Sequence, residues 1–537
     1  MRLIKRCIDT ISRTCTPWAI VLILLINPPV AKPSEPPAGI ARLSGMLNQH
    51  GVEHALLDAN LEGLLYLLGL PFPAGRSETA WTKRSFKHRD QNIAIMRDPR
   101  LYLHPDRYKR AVKDIGKVLH DITPEGITVG LADYSNDALV PTKSAYLLFA
   151  AAKPELNPFY PYFSSRLREL FDRNSPSMAG ISLNYLSQAL CTFSMIGFIR
   201  REFPSVKIVL GGGLVTSWMK NLTWQSPFGG LVDHCIAGQG ELPLLSLLGM
   251  DTANRRLPCP DYTSLPAGQY LSPGFILPYS ASSGCYWNRC RFCPEEAEQN
   301  PYIPVPPMQV IEDLKELAIK TNPSLIHLLD NAISPVLLEA LCKEKPAAPW
   351  YGFARVSSQL SDPSFCAALK SSGCAMLKLG IESGDQEVLD ALDKGISVEM
   401  ASVVLKNLKK AGIETYVYLL FGTPVETETS ARKTLEFTAQ HSDCINFLNI
   451  AIFNMPICGK ASAELSARTF SEGDLSLYAD FEHPQGLDRR KVRLFLDREF
   501  KRHPAVSAIL KKEVPVFTSN HAPFFAMNRK DLTTLPG

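Results

Sequence analysis

Three cysteines, Cys285, Cys290 and Cys293, lie in the run SSGCYWNRCRFCPE, separated by four residues and then by two. Three thiolates on one short loop can hold three irons of a four-iron cluster. The fourth iron then has no protein ligand from that loop and can bind a substrate or cofactor directly. The spacing therefore points to redox chemistry on a small molecule. Zinc is a competing reading, because thiolates also suit zinc. A structural zinc site usually draws on a second CxxC pair, however, and the chain contains none. A chance grouping of thiols is the third reading.

The elements around this loop follow a repeating order. The apolar run Ile276–Tyr279 precedes the loop and reads as a strand. Helices are expected at 307–320, 334–343, 363–371, 385–393, 398–411 and 428–440. Between and after them, strands are expected at 325–330, 351–355, 376–380, 414–421 and 444–452. Six strands with intervening helices suggest a partial βα barrel, in which catalytic groups come from strand C-termini and the loops that follow. The cysteine loop sits where such a site is expected.

The N-terminal half also alternates. Residues 19–26 (AIVLILLI) follow a basic start, MRLIKR, an order of parts shared with a secretory signal. The run is shorter than the ~20 residues of a spanning helix, ends in Asn27-Pro28-Pro29, and lacks a small-residue cleavage pattern. It reads as a buried parallel strand. A helix at 39–50 follows, then a strand from 54 ending at Asp58, strands at 179–183, 206–210 and 232–236, and a helix at 242–249. Gly211, Gly212 and Gly213 follow one strand directly, and Gly238-Gln-Gly240-Glu241 follows another. This β–α–β order argues for an open parallel sheet with ligands beyond its carboxyl edge, where glycines admit close backbone approach. The triple glycine alone is equally a tight turn.

The expected division is a basic extension at 1–17, a Rossmann-like domain at 18–250 with a helical insertion at about 64–178, a Pro-rich connector at 251–279, a barrel at 280–460 and a helical C-terminal extension at 461–537. In the tail, DRRKVRLFLDREFKR (488–502) places Val492, Phe495, Leu496 and Phe500 on one helical face, a domain-packing pattern. The aromatic segment 517–525 is expected to pack back onto the body, with His521 making a structural hydrogen bond. A net charge of +4 over 537 residues gives no electrostatic case for nucleic acid. Thirteen scattered cysteines are unlike a disulfide framework. Cys191, Cys342, Cys374 and Cys444 have apolar neighbours and read as small hydrophobes. A cytoplasmic protein with no membrane partner is expected.

The cysteine loop resembles the cluster motif of the radical S-adenosylmethionine superfamily, with Phe292 at the aromatic position before the last cysteine. Its first gap is one residue longer than usual, in the manner of GCYW…RC.FC loops from a cobalamin-binding branch. Leu379-Gly-Ile-Glu-Ser-Gly384 with VLDALDKG, and Gly422-Thr-Pro424 with Glu426-Thr427, resemble later barrel segments of that family. ILLINPP with EPPAG, the triple glycine and AGQGE resemble its cobalamin-type domain.

The resemblance implies a [4Fe–4S] cluster on Cys285, Cys290 and Cys293. S-adenosylmethionine would chelate the open iron through its amine and carboxylate, and a 5′-deoxyadenosyl radical would be released on reduction. By position, Phe292 could pack near adenine. Glu382, with Ser383 beside it, could accept from ribose hydroxyls or the amine. Arg355 could pair with the carboxylate, and Asp330 and Asn331 could face cofactor or substrate. Cobalamin is a further implied cofactor, flanked by Ser182, Leu183, Gly211, Gly212 and Gly213. The loop NPPVAKPSEPPAG has no histidine, so it would offer cobalamin no histidine ligand.

The leading function is cobalamin-dependent C-methylation of a small molecule or peptide, with a flavodoxin or ferredoxin as electron donor. The alternatives are a radical rearrangement, cyclisation or oxidation without methyl transfer, and a non-catalytic iron–sulfur sensor.

Overall fold

Strand β1 (Ile23–Asn27, ILLIN) is buried along its whole length, which accounts for its unbroken apolar sequence. The computed structural model describes residues 22–221, 224–252, 257–459, 465, 468–469, 473–514 and 521–527. The basic residues 1–17, residues 19–21 of the expected first strand and residues 517–520 of the tail lie outside them. Next in the chain come β2 (His54–Asp58), a hairpin of β3 (Ile127–Val129) and β4 (Tyr134–Asn136), β5 (Met178–Ser182), β6 (Lys207–Gly211) and β7 (His234–Cys235). Five of these pair in parallel in the order β2-β1-β5-β6-β7. The chain leaves β1 to one side for β2 and returns to the other side for β5. The crevice at the carboxyl ends of β1 and β5 is therefore the switch point where such sheets bind ligands.

Both faces of this sheet are covered, by different partners. Ile23, Leu25, Met178 and Val209 join a core that continues into the outer shell of the barrel. Leu24, Ile26, Ala179, Ile181, Ile208 and Leu210 face a second core. Helices Pro105–Ile122, Ser144–Ala152, Tyr160–Asn174 and Leu186–Glu202 supply much of that second core. Much of the 64–178 segment is thus the cover of the sheet's far face. Each fully buried Leu or Ile contributes about 1.5–3 kcal/mol, so this cover is a major stabilising element. The segment is not wholly helical, since it also holds the β3–β4 hairpin. The helix after β2, Ala59–Gly69, runs through Gly63, and its N-cap Asp58 also accepts hydrogen bonds from Asn27 (2.9 Å) and Tyr270 (2.9 Å).

The second sheet begins with β8 (Ile276–Tyr279). A small pair, β9 (Ser282–Ser283) and β10 (Ile303–Pro304), follows it. The remaining barrel strands are β11 (Leu325–Leu328), β12 (Trp350–Ala354), β13 (Cys374–Glu382), β14 (Glu414–Phe421) and β15 (Phe447–Ile452). Their order, β15-β14-β13-β12-β11-β8, is parallel throughout, giving the expected six-stranded partial barrel. The expected helix at 488–502 is an α-helix only over Arg489–Phe495, and Leu496–Phe500 widens into a π turn. Val492, Phe495, Leu496 and Phe500 are all buried, as a packing helix requires. Phe524 packs against Tyr102 and Tyr108, and His521 is wedged between the rings of Tyr416 and Phe447. Among the described residues no helix is long and apolar enough to cross a membrane.

The loop after β14 carries a buried carboxyl. Glu426 accepts from the Gly422 amide at 2.5 Å, while its second oxygen lacks a partner among the described residues. Burial pushes its pKa up to about 8. The unfolded chain ionises this group near 4.5, so between the two values the folded protein binds the extra proton. Stability is accordingly expected to fall as pH rises through that window, by on the order of a few kcal/mol. Glu426→Gln should remove that dependence, which thermal melts of both proteins from acid to alkaline pH would check. Parallel melting curves against pH would refute it.

Candidate active site

The cysteine loop is fixed at its base by the end of β11. Asp330 accepts from the Ala281 amide (3.1 Å) and from the Ser282 hydroxyl, and Asn331 donates to the Gly284 carbonyl (3.3 Å). Burial raises the Asp330 pKa, against those hydrogen bonds. Asp330 and Asn331 therefore hold the loop that carries the cysteines. The longer first gap has its own anchor. Trp287 donates to the Asp393 carbonyl at 3.0 Å. The Arg355 guanidinium lies over its ring at 4.3 Å and Arg289 lies at 5.2 Å. Gly395, at φ +66°, lies so close that a Cβ there would fall inside the indole. The extra residue is thus absorbed by a tryptophan clamped against the loop after β13.

Charged groups converge on Cys290. Arg355 Nη1 lies 3.8 Å from its sulfur, and Arg355 Nη2 donates to the Lys394 carbonyl. Lys394 pairs with Glu382 at 2.8 Å and lies 5.4 Å from the centre of the Phe292 ring. Glu382 ends β13 at φ +68°, beside a break in the strand register, a strained conformation of the kind found at functional sites. All three cysteines are free thiols. Burial raises the Cys290 thiol, while the charges of Lys394 and Arg355 pull it back, and burial pushes Cys293 up to about 11. Deprotonating such thiols needs nearby positive charge, which bound iron supplies. Among the described residues no three His, Cys, Asp or Glu side chains are grouped to hold a single metal ion. In a four-iron cluster each thiolate takes a different iron, so the ligands do not converge on one ion.

A cavity of about 830 Å³ opens beside this loop. One wall is the carboxyl edge of the first sheet, with Ser182, Gly211, Gly212, Gly213 and the segment Gly238 to Glu241. The opposite wall is the cysteine segment itself, through Ser283, Gly284, Pro294 and Glu298. Gly212 has φ +109°, and a Cβ there would collide with the Leu183 carbonyl. Arg42 pairs with Glu241 at 2.5 Å, yet among the described residues its Nη2 has no partner, and neither has Gln239 Nε2. Two unpaired donors on a glycine-rich crevice suit a large ligand rich in carbonyl and phosphate oxygens. The amides and phosphate of a corrinoid meet that description, so the residues present fit the group. Among the cavity-lining residues there is no histidine.

Two residues singled out from sequence point elsewhere. The Leu183 side chain lies in the core on the sheet's far face, so only its backbone reaches the crevice. Ser383 is 1% exposed and bonds Thr434 (3.2 Å) and the Asp385 amide (3.1 Å), behind the strand. Both err because one step along a strand reverses the face. Trp287, Lys394, Arg42 and Gln239 were not anticipated. The tetrapeptide DKGI after β13 was the one available signal for Lys394, since a glycine fixes the turn that presents it.

The profile of the radical SAM superfamily matches residues 279–438, the span from β8 to the helix Glu428–Gln440. Residues 279–438 are thus a match to the radical SAM domain, and the cofactors of that superfamily are a [4Fe–4S] cluster and S-adenosylmethionine. An uncharacterised methyltransferase of Pyrococcus horikoshii, PH0819, is 22% identical over 312 residues, covering 51% of this chain and 66% of its own length. Over the whole chain, the fold is similar to that of TsrM from Kitasatospora setae, a radical S-adenosylmethionine methyltransferase solved with cobalamin and a [4Fe–4S] cluster. The TM-score is 0.52 at 16% identity, covering 92% of this chain and 91% of that one. The cobalamin-dependent radical enzyme OxsB, solved with aqua-cobalamin, gives a TM-score of 0.58 at 12% identity, covering 89% and 67%. At these identities the likeness is one of fold.

Proposed function

We propose that this enzyme is a cobalamin-dependent radical SAM methyltransferase acting on a small molecule. In this reading the first sheet, within 18–250, binds the corrinoid, and the barrel, within 280–460, binds the cluster and S-adenosylmethionine. The observation that carries it is the cavity that joins the switch point of the first sheet to the cysteine segment. A sheet kept only as scaffold would have no reason to leave Arg42 and Gln239 donors unpaired on such a wall. When bound, the reduced cluster with S-adenosylmethionine supplies a carbon radical and the corrinoid a methyl group.

The chain's own residues have distinct tasks. Cys285, Cys290 and Cys293 hold the cluster. Arg355 and Lys394 place positive charge at its edge. Arg355 and Glu382 are positioned to orient the carboxylate and amine of S-adenosylmethionine, and Phe292 is positioned to pack against its adenine. Ser182, Gly211, Gly212 and Gly213, which line the cavity, would hold the corrinoid, and Arg42 and Gln239 would donate to its amide or phosphate oxygens. With no histidine among its lining residues, this cavity would offer a bound corrinoid no imidazole ligand. A flavodoxin or ferredoxin as reductant, and a cytoplasmic setting, belong to the same proposal.

The test is anaerobic reconstitution with iron, sulfide and hydroxocobalamin. Retention of the corrinoid on a desalting column, and transfer of labelled methyl from S-adenosylmethionine to it, support the reading. Cluster assembly without corrinoid retention would contradict the corrinoid-dependent reading and leave a radical enzyme without that cofactor.

A further inference from the structure

The barrel lumen holds a buried chain of ionisable groups that the reading above does not use. Ile276, Leu325, Tyr351, Met376, Tyr416 and Phe447 form a dry cluster inside the barrel, with Ala522 packed into it. His327 on β11 and Lys378 on β13 lie beside that cluster. Both face inward, since their strand neighbours Ile326, Leu328, Leu377 and Leu379 belong to the outer core. Lys378 Nζ donates to His327 Nε2 at 3.3 Å. Because an ammonium only donates, His327 carries its proton on Nδ1, which donates to Glu35 at 3.0 Å. Glu35 comes from the Pro-rich segment after β1 and is paired in turn with Lys32. The first domain therefore reaches into the barrel and backs the lysine through a histidine.

This arrangement leaves the ammonium incompletely satisfied. Lys378 is 3% exposed, and among the described residues its one hydrogen bond is to a neutral imidazole. Its remaining hydrogens face the rings of Tyr351 and Phe353, at 5.1 and 5.0 Å. The nearest carboxylate, Glu35, lies beyond the histidine. Further along the inner face of β13 is Gly380, where a Cβ would collide with the Glu382 carboxylate and the Lys394 ammonium, so that this pair packs directly on the strand. Phe353, Gly380 and Tyr418 are partly exposed on the inner face of the barrel, and the Phe353 and Tyr418 rings lie 4.9 Å apart. A cation set four residues, about 13 Å, before the Glu382 end of the strand, among aromatic faces and without its own anion, is a receptor for one.

We propose that Lys378 anchors the carboxylate of the substrate, a flat unsaturated acid whose body lies against Phe353 and Tyr418 with its reacting carbon toward the Glu382–Lys394 pair. This rests on reading the lumen as the reaction chamber of the proposed enzyme. The groups around the ammonium support it. Burial, with the charge of Lys32, lowers Lys378 to about 7, and burial lowers His327 to about 4 against the pull of Glu35. Burial alone would raise Glu35, but His327 and Lys32 outweigh it and keep it ionised. Tyr351 and Tyr418 complete the set from β12 and β14. Near neutral pH the lysine is thus poised to take up a proton when an anion arrives.

The test uses benzoate and its neutral isostere benzamide, titrated calorimetrically into the reconstituted full-length protein. Benzoate is expected to bind at least about tenfold more tightly than benzamide. At a pH about one unit above the lysine's own value, its binding should take up a fraction of a proton, read from buffers of different ionisation enthalpy. Lys378→Met, which replaces a buried charge by an apolar side chain of similar length, should fold and lose both the preference and the proton uptake. Lys378→Arg should keep the preference and lose the uptake. Equal binding of the two probes, no binding of benzoate, or a preference that survives in Lys378→Met would overturn the inference. Formation of 5′-deoxyadenosine by the wild-type protein reports separately on the radical reading, so either claim can fail while the other stands.

Discussion

Cys290→Ala is expected to lower the iron content of anaerobically reconstituted protein from about four per chain to well below one. Cys290 is the most enclosed of the three cysteines at 8% exposure, and Arg355 lies 3.8 Å from its sulfur. Removing its thiol leaves that guanidinium facing a void and the cluster with two ligands. The brown absorbance of the cluster and all formation of 5′-deoxyadenosine should disappear together, because the cofactor carries the chemistry. The fold should survive, since Asp330, Asn331 and Trp287 pin the loop independently of any metal. Iron analysis beside circular dichroism checks both halves. A variant that keeps its iron would mean that another residue holds the metal.

The second large effect concerns the cavity wall. Gly211 ends β6 with ordinary backbone geometry, and a Cβ there would make only ordinary contacts with Ile236, to its carbonyl oxygen at 3.6 Å and its Cβ at 3.8 Å. Gly211→Val should therefore fold with little change in melting temperature. The added methyl groups would occupy the crevice where the sheet admits a ligand. Corrinoid retention is expected to fall by at least about tenfold. Gly212→Val makes the contrast, since its positive φ and the Leu183 carbonyl behind it predict a protein that folds poorly. Visible spectra after desalting, with melting curves for both variants, check the pair. Full corrinoid retention by Gly211→Val would place the ligand elsewhere.

Much of the fold was legible in the sequence because parallel strands covered on both faces read as unbroken apolar runs. Residues 23–26 follow that rule outright, and the barrel strands follow it apart from polar positions such as His327 in β11 and Lys378 in β13. The cysteine loop was legible because its ligands are local, three thiols within nine residues. What was not legible arises across distance. Trp287 gains its role from Asp393, 106 residues away, and Glu35 from His327, 292 residues away. Arg42 sits on a helix where an arginine ordinarily reads as solvated, and only the approach of Glu241 turns it to the crevice. Lys378 interrupts a buried strand with a charge, a break in local consistency that often marks function. Leu183 and Ser383 adjoin Ser182 and Glu382, and alternation along the strand carries their side chains to the opposite face.

Incubating the anaerobically reconstituted protein with a chemical reductant and S-adenosylmethionine, and quantifying 5′-deoxyadenosine and methionine, tests the central claim most directly. A cluster with one iron open to the sulfonium nucleotide predicts equal amounts of both products, dependent on reductant and absent without Cys285, Cys290 or Cys293. An intact four-iron cluster that leaves S-adenosylmethionine uncleaved, or a loop that purifies with stoichiometric zinc, would contradict it.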